Sequence, residues 1–160
     1  MAATSSLDAA AAVAKVTLFE DIFDVIALNP DGYKFDNVNR IQAIGTTFEC
    51  DLLLDMNCVI YKLTDHDKFT LVLASTLHLD GSPADHNSYV PISTTYSEPN
   101  LSDHYEYVMH GRVFDIKYTK DGNVTIAISY GGLLMRLSGD SKHLSAIRPD
   151  QRLYLLIKKD

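Results

Sequence analysis

Two aspartates in an alternating segment are the first side chains whose spacing could support chemistry. Asp51 and Asp55 lie on one face of a predicted strand, and paired carboxylates act as acid and base in glycoside hydrolysis. At about 3.3 Å per residue, their spacing along the strand separates them by roughly 13 Å, which exceeds the wider separation found in inverting glycosidases. The pair therefore argues against a glycosidase site.

A tighter acidic cluster, Asp65-His66-Asp67, falls in a predicted turn. Acidic residues are favoured in turns because they are solvated there and form local hydrogen bonds. Ser129 is the remaining candidate nucleophile, but no Gly-x-Ser-x-Gly elbow surrounds it. A small hydrolase is the least supported class of function, and we expect no catalytic residue.

The residues that could hold a metal or a cofactor also lack the necessary spacing. Cys50 and Cys58 fit neither a paired zinc motif nor a disulfide framework. Gly131-Gly132 is not followed by the Lys-Ser/Thr step of a phosphate-binding loop. Four histidines group loosely without fixed short spacing: His78, His86, His104 and His110. We expect reduced cysteines, surface histidines, no metal and no cofactor.

The composition is typical of one globular domain. The 160 residues are 46% hydrophobic and 22% charged, and no run of about 20 apolar residues could span a membrane. The formal charge of −7 divides into −9 for residues 1–100 and +2 for residues 101–160. Neither part has the basic excess that phosphate binding favours.

Residues 1–15 are interpreted as a flexible N-terminal tail. After them, apolar and polar side chains alternate with a period of two, which predicts one β domain over residues 16–160. Residues 35–44 fit a helix or a strand, because their apolar side chains recur every three positions; asparagines in the segment favour a strand after Val38. Residues 51–61 and 69–77 are interpreted as a hairpin around the polar turn at 64–67. Further strands are predicted at residues 16–26, 105–118 and 152–159. The alternation predicts that Phe19, Phe23 and Val25 of the first and Leu153, Leu155 and Ile157 of the last face inward, and that Ile60 in the segment 51–61 faces the core.

The second half of the chain carries strong turn signals. Asp121-Gly122 between two alternating segments predicts a hairpin, and residues 141–147 predict a short helical turn. Because glycine inside a strand often marks a bulge, the pair Gly131-Gly132 predicts one long, bent strand over residues 124–137. Residues 78–102 are too long for an ordinary connection and predict a surface loop that is mobile or ordered by another component. Seven or eight antiparallel strands predict a sandwich or a closed barrel.

Seven segments, in order, resemble one protein family. They are LFEDIF at 18–23, NPDGYKFDNVNRI at 29–41, DLLLDMN at 51–57 with IY at 60–61, DKFTLVLASTLHLDG at 67–81, YEYVMHGRVF at 105–114, SYGGLLMRLSGD at 129–140, and RLYLLIKK at 152–159. Together they resemble the small β-barrel subunit shared by the eukaryotic nuclear RNA polymerases I, II and III.

The resemblance implies a fold, a location and a set of partners. The fold is an all-β, eight-stranded antiparallel barrel of two halves similar to the oligonucleotide-binding fold. The implied role is that of a noncatalytic subunit in the nucleus, including the nucleolus, docked on the largest polymerase subunit near the α-like assembly subunit. It implies no membrane association and no homo-oligomer.

Two surfaces are expected from these considerations. Large apolar side chains on both sides of the strand around the Gly pair predict a partner-binding stretch, unless the chain's own loop or terminal strand covers both faces; its residues are Tyr130, Gly131, Gly132, Leu133, Leu134, Met135 and Arg136. The resemblance also implies weak, nonspecific single-strand binding near residues 29–53, with candidate residues Tyr33, Lys34, Phe35 and Arg40. The alternative to a docking subunit is a free-standing single-stranded nucleic-acid-binding barrel.

Overall fold

The computed structural model describes residues 17–29, 37–77 and 101–160, and within them the regular secondary structure is almost entirely β-strand. The predicted tail at 1–15, the residues around Asp31-Gly32 and nearly all of the predicted loop at 78–102 lie outside the described residues. The strands are β1 (Thr17–Leu28), β2 (Val38–Gly45), β3 (Asp51–Asn57), β4 (Lys68–Ala74), β5 (Tyr107–Tyr118), β6 (Asn123–Tyr130), β7 (Leu133–Asp140) and β8 (Arg152–Lys159). A 3₁₀ helix (Leu101–His104) precedes β5, and a short helix α1 (Ser141–Leu144) follows β7.

The eight strands form a closed antiparallel barrel. Their order around it is β1-β2-β3-β7-β6-β5-β8-β4, and β4 pairs with β1 to complete the circle. The predicted all-β, eight-stranded barrel is thus confirmed; its division into two halves similar to the oligonucleotide-binding fold stays a prediction. No helix within the described ranges is long and apolar enough to cross a membrane.

Alternating side chains fill the barrel, because successive residues of a strand point to opposite faces. On β1 the inward residues are Phe19, Phe23 and Val25, as the alternation predicted. Phe23 stacks on Phe69 of β4 with a ring-centroid distance of 5.8 Å. The predicted inward set of β8, Leu153, Leu155 and Ile157, is likewise buried.

Three local predictions are confirmed by the strand boundaries. The chain is extended after Val38 rather than helical. The turn at Asp121-Gly122 joins β5 to β6, with Gly122 at φ +86°. The short helix falls at the start of the predicted segment 141–147 and is capped by Asp140, whose carboxylate accepts from the Lys142 backbone N–H at 2.9 Å.

The prediction of one long, bent strand over residues 124–137 is wrong. Gly131 and Gly132 form the two-residue turn of a hairpin between β6 and β7, with φ of +64° and +106°. Positive φ at both central positions gives the turn a twist that matches the flanking strands, and glycine adopts it without steric cost. The pair reverses the chain instead of bending it.

The predicted hairpin of residues 51–61 and 69–77 is also wrong. β3 pairs with β2 and β7, whereas β4 pairs with β1 and β8. The strand ends at Asn57, and Ile60, predicted to face the core, is 71% exposed. The connection at 58–67 crosses one end of the barrel and joins β1 through hydrogen bonds from His66 N to Val25 O, 3.0 Å, and from Val25 N to Asp67 O, 2.9 Å.

Candidate functional site: the β6–β7 turn and the adjoining outward face

The predicted partner-binding stretch spans both surfaces of the barrel wall. The side chains of Tyr130 and Met135 lie inside the barrel, where the Tyr130 hydroxyl approaches the Met135 sulfur at 3.7 Å. Burial raises the pKa of Tyr130 well above its usual value. Leu133 is half-buried against the same core. Tyr130 and Met135 are therefore not available to a partner, whereas Leu133 keeps part of its surface exposed.

The part of the stretch that faces outward is small and mixed in character. Leu134 is 43% exposed, which places it among the exposed large apolar side chains of the described residues. Arg136, two residues further along β7, is exposed on the same face. The turn residues Gly131 and Gly132 are exposed between them and the end of β6. A partner approaching this face would meet backbone, one leucine and one guanidinium.

A buried carboxylate fixes this turn to the neighbouring strands. The backbone pairing of β3 with β7 stops at Leu54 and Met135, although β3 continues to Asn57. Beyond that point the Leu134 backbone N–H donates to Asp55 at 3.2 Å instead of to a strand carbonyl. The same carboxylate accepts two bonds from Arg40 of β2, at 2.8 Å from Nε and 3.2 Å from Nη2. Asp55 thus joins β2, β3 and β7 where the main-chain ladder ends.

The outward face beside the turn is defined by the outward side chains of β2, β3, β7 and β6. One row across it runs from Gln42 through Leu53 and Arg136 to Ala127. The next row contains Ile44, Asp51, Ser138 and Thr125. A shallow depression of about 360 Å³ lies between the rows and is lined by residues of both.

An acidic depression adjoins this face at the other end of the barrel. Its volume is about 630 Å³, and it contains the stacked pair Phe48 and His143, whose ring centroids are 4.3 Å apart. Four carboxylates line it: Glu49, Asp51, Asp121 and Asp140. Such a surface repels phosphate, because like charges placed together without compensation are unfavourable.

Of the four predicted nucleic-acid-binding residues, the structure describes one. Tyr33, Lys34 and Phe35 lie outside the described residues. Arg40 is held by Asp55 in a bidentate ion pair, so its charge is largely compensated.

The candidate catalytic residues are not brought together either. Asp55 is buried in its ion pair, whereas Asp51 is exposed near Ser138. Asp67 accepts from the Thr64 backbone N–H at 2.8 Å, a bond that lowers the pKa of Asp67. In the described ranges no group of three or more His, Cys, Asp or Glu side chains is arranged to hold a metal ion.

Comparison with known proteins identifies the family. The family model described as RNA polymerase Rpb8 matches residues 20–159. The chain belongs to the Rpb8 family.

Curated relatives agree with this assignment over nearly their full lengths. The chain is 45% identical over 147 residues to "DNA-directed RNA polymerases II, IV and V subunit 8B" of Arabidopsis thaliana, covering 90% of this chain and 97% of the relative. It is 45% identical over 145 residues to "DNA-directed RNA polymerases I, II, and III subunit rpabc3" of Dictyostelium discoideum, covering 89% and 96%. The corresponding RPABC3 subunit of Saccharomyces cerevisiae is 34% identical over 149 residues, covering 89% and 98%.

Two buried aspartates of this Rpb8-family chain were missed by reasoning from sequence. Asp55 was considered only as half of a carboxylate pair, and Asp21 was not singled out. The Asp21 carboxylate accepts from the backbone N–H groups of Thr47 and Phe48, at 3.2 and 3.0 Å, and so fixes the β2–β3 connection. A single acidic residue on the inward face of an apolar alternation was the available signal for Asp21.

Proposed function

We propose that this chain is a noncatalytic structural subunit common to the nuclear DNA-directed RNA polymerases I, II and III, docked on the largest subunit near the α-like subunit and supporting assembly of the enzyme. The Dictyostelium and yeast relatives carry names that assign them to polymerases I, II and III, and the Arabidopsis relative is named for polymerases II, IV and V. A shared subunit of this kind resides in the nucleus, including the nucleolus.

The exposure of Leu134 at the β6–β7 turn is the observation that supports a docking surface there. A leucine that is 43% exposed still has apolar surface to bury, and full burial of such a side chain contributes about 1.5–3 kcal/mol. Asp55 and the inward side chains of Tyr130 and Met135 hold the turn rigidly. A preorganised contact loses less conformational entropy on binding than a mobile one.

The hydrogen bonds of the buried carboxylates support a noncatalytic role. Asp55 binds Arg40 and the Leu134 backbone, and Asp21 binds the backbone of the β2–β3 connection. These carboxylates stabilise the barrel. Their hydrogen-bonding capacity is directed at the protein's own backbone and arginine rather than at a substrate.

Replacement of Leu134 by aspartate tests the docking surface. Tagged L134D and wild-type chains are expressed in cells, and the largest polymerase subunit that co-purifies with each is quantified. The expected result for L134D is a thermal unfolding midpoint close to that of the wild type together with loss of the largest subunit, because a charge replaces the apolar contact.

The matched control is Y118D. Tyr118 is 74% exposed at the end of β5, near the opposite end of the barrel, so this variant is expected to co-purify normally. Should L134D unfold, the milder L134Q replaces it. Co-purification of a folded Leu134 variant at the wild-type level would reject this surface. Binding of the isolated wild-type chain to a single-stranded oligonucleotide, with an affinity that falls steeply as salt rises, would instead favour a free-standing phosphate-binding barrel.

A further inference from the structure

The outward face of β7 carries a guanidinium that the described part of the chain leaves uncompensated. Within residues 17–29, 37–77 and 101–160, no hydrogen bond or ion pair engages the Arg136 side chain. Arg40 and Arg112, which also point outward, are bound by Asp55 and Asp150. Arg136 therefore differs from its neighbours in having its charge available.

The immediate neighbours of Arg136 are neutral. Leu53 of β3 and Ala127 of β6 flank it in the row across the strands. Three carboxylates lie around these neighbours: Asp55 is bound by Arg40 and by the Leu134 backbone N–H, Asp115 stands opposite Ala127 and pairs with Lys117 at 3.6 Å, and Asp51 stands opposite Ser138. The outward side of β7 thus changes along the strand from apolar at Leu134 through positive at Arg136 to polar at Ser138, which stands beside the carboxylate of Asp51.

From this order we infer that the partner is an extended segment of another polymerase subunit whose side chains on one face are, in sequence, apolar, acidic and hydrogen-bond-donating. The inference rests on the proposed docking function. The apolar side chain covers Leu134, the carboxylate binds Arg136, and the donor or basic side chain meets Ser138 and Asp51. An extended segment fits because residues two apart along a strand are separated by about 6.6 Å, the spacing of the three positions on β7.

Charge complementarity favours this occupant over a nucleic acid. A carboxylate can form two parallel bonds with one guanidinium, so a single arginine suffices to bind it. A phosphate chain crossing the same face would continue towards Asp51 and the acidic depression with Glu49 and Asp140. Successive phosphates would be repelled there, whereas a donor side chain would be attracted.

Competitive incorporation measures the contribution of Arg136. Two full-length chains with different tags, wild type and variant, are co-expressed, and their ratio is measured in polymerase purified through its largest subunit. The expected ratio for R136E is lower than that for R148E by about tenfold or more, since one close charge pair is lost and a repulsion is gained. R148E is the matched control because Arg148 is exposed in the connection between α1 and β8.

Zero-length cross-linking identifies the chemistry of the partner. R136K keeps the charge and introduces a primary amine, and a carbodiimide couples that amine to a carboxylate in direct contact. On the assembled polymerase, we expect mass spectrometry to find an amide between position 136 and an Asp or Glu of another subunit, with an apolar residue two positions away. Equal incorporation of R136E and R148E, or no such cross-link in polymerase that contains R136K, would overturn the inference.

The two proposals fail in different ways. If L134D is excluded from polymerase while R136E enters as well as R148E, the docking surface stands and the acidic segment is rejected. If both L134D and R136E enter normally, the surface itself is rejected and the inference falls with it. Loss of the wild-type chain from polymerase after nuclease treatment would show a nucleic-acid contact and reject the acidic segment.

Discussion

Removal of the Asp55 carboxylate is expected to destabilise the barrel at the point where the β3–β7 ladder ends. The side chain is 10% exposed and accepts three bonds, two from Arg40 and one from the Leu134 backbone. Breaking a buried ion pair by removing one partner costs about 3–5 kcal/mol, whereas exposed pairs contribute about 0–1 kcal/mol. Arg40 is 36% exposed and can recruit water, so we expect D55A to lower the free energy of unfolding by about 2–3 kcal/mol.

A double-mutant cycle separates the ion pair from the backbone bond. Urea unfolding followed by circular dichroism compares wild type, D55A, R40Q and the double variant; for a slope of about 1–3 kcal/mol/M, D55A should shift the midpoint by about 1 M. The coupling between Asp55 and Arg40 should be about 1 kcal/mol or more. D55N, which keeps an acceptor for the Leu134 N–H, should lose less than D55A. A decrease in the free energy of unfolding below about 0.5 kcal/mol for D55A, or zero coupling between Asp55 and Arg40, would refute the stabilising role of the Asp55 carboxylate.

Two further predictions concern glycine packing and a buried thiol. G111A should destabilise the barrel by about 3 kcal/mol, because the added Cβ would meet the Tyr130 ring and lie 2.5 Å from the Ser129 carbonyl oxygen. The control G122A adds a Cβ with nothing within 4 Å, at a φ of +86°, and should lower the free energy of unfolding by only about 1 kcal/mol. Equal urea midpoints for the two variants would contradict the packing argument. Burial, reinforced by nearby carboxylates, raises the pKa of the Cys50 thiol from 9.0 to about 11. The folded state therefore favours the neutral thiol, and the contribution of Cys50 to the free energy of unfolding is present below pH 9 and is lost as the pH rises to 11. The unfolding free energy of the wild type relative to C50A should therefore fall by about 2 kcal/mol between pH 8 and pH 11, and a difference that is independent of pH would disprove it.

The alternation of the sequence located most strands and their inward faces. Whether a side chain on a strand points in or out depends on a local period of two, so the inward positions of β1 and β8 were predictable. Turn chemistry at Asp121-Gly122 was equally local, because Gly122 supplies a conformation that its neighbours do not favour. The ordered segments that resemble the family likewise required no structure.

Strand neighbours depended on the tertiary structure. The pairing of β3 with β7 and of β4 with β8 joins segments distant in the chain, and neighbouring alternation in the sequence suggested a different hairpin. The Gly131-Gly132 pair is compatible with either a bulge or a turn. Only closure of the barrel, which needs β6 and β7 antiparallel and adjacent, selects the turn.

The candidate site shows the same division. The sequence determined that Leu134 and Arg136 follow the glycine pair and are two residues apart, which puts both on one face of a strand. The tertiary structure decided that this face is outward, that Tyr130 and Met135 are buried behind it, and that Asp55 holds the Leu134 backbone across a separation of 79 residues. A carboxylate is drawn to an unpaired N–H because a buried polar group without a partner is costly, and no local pattern in the sequence records where such a donor will lie.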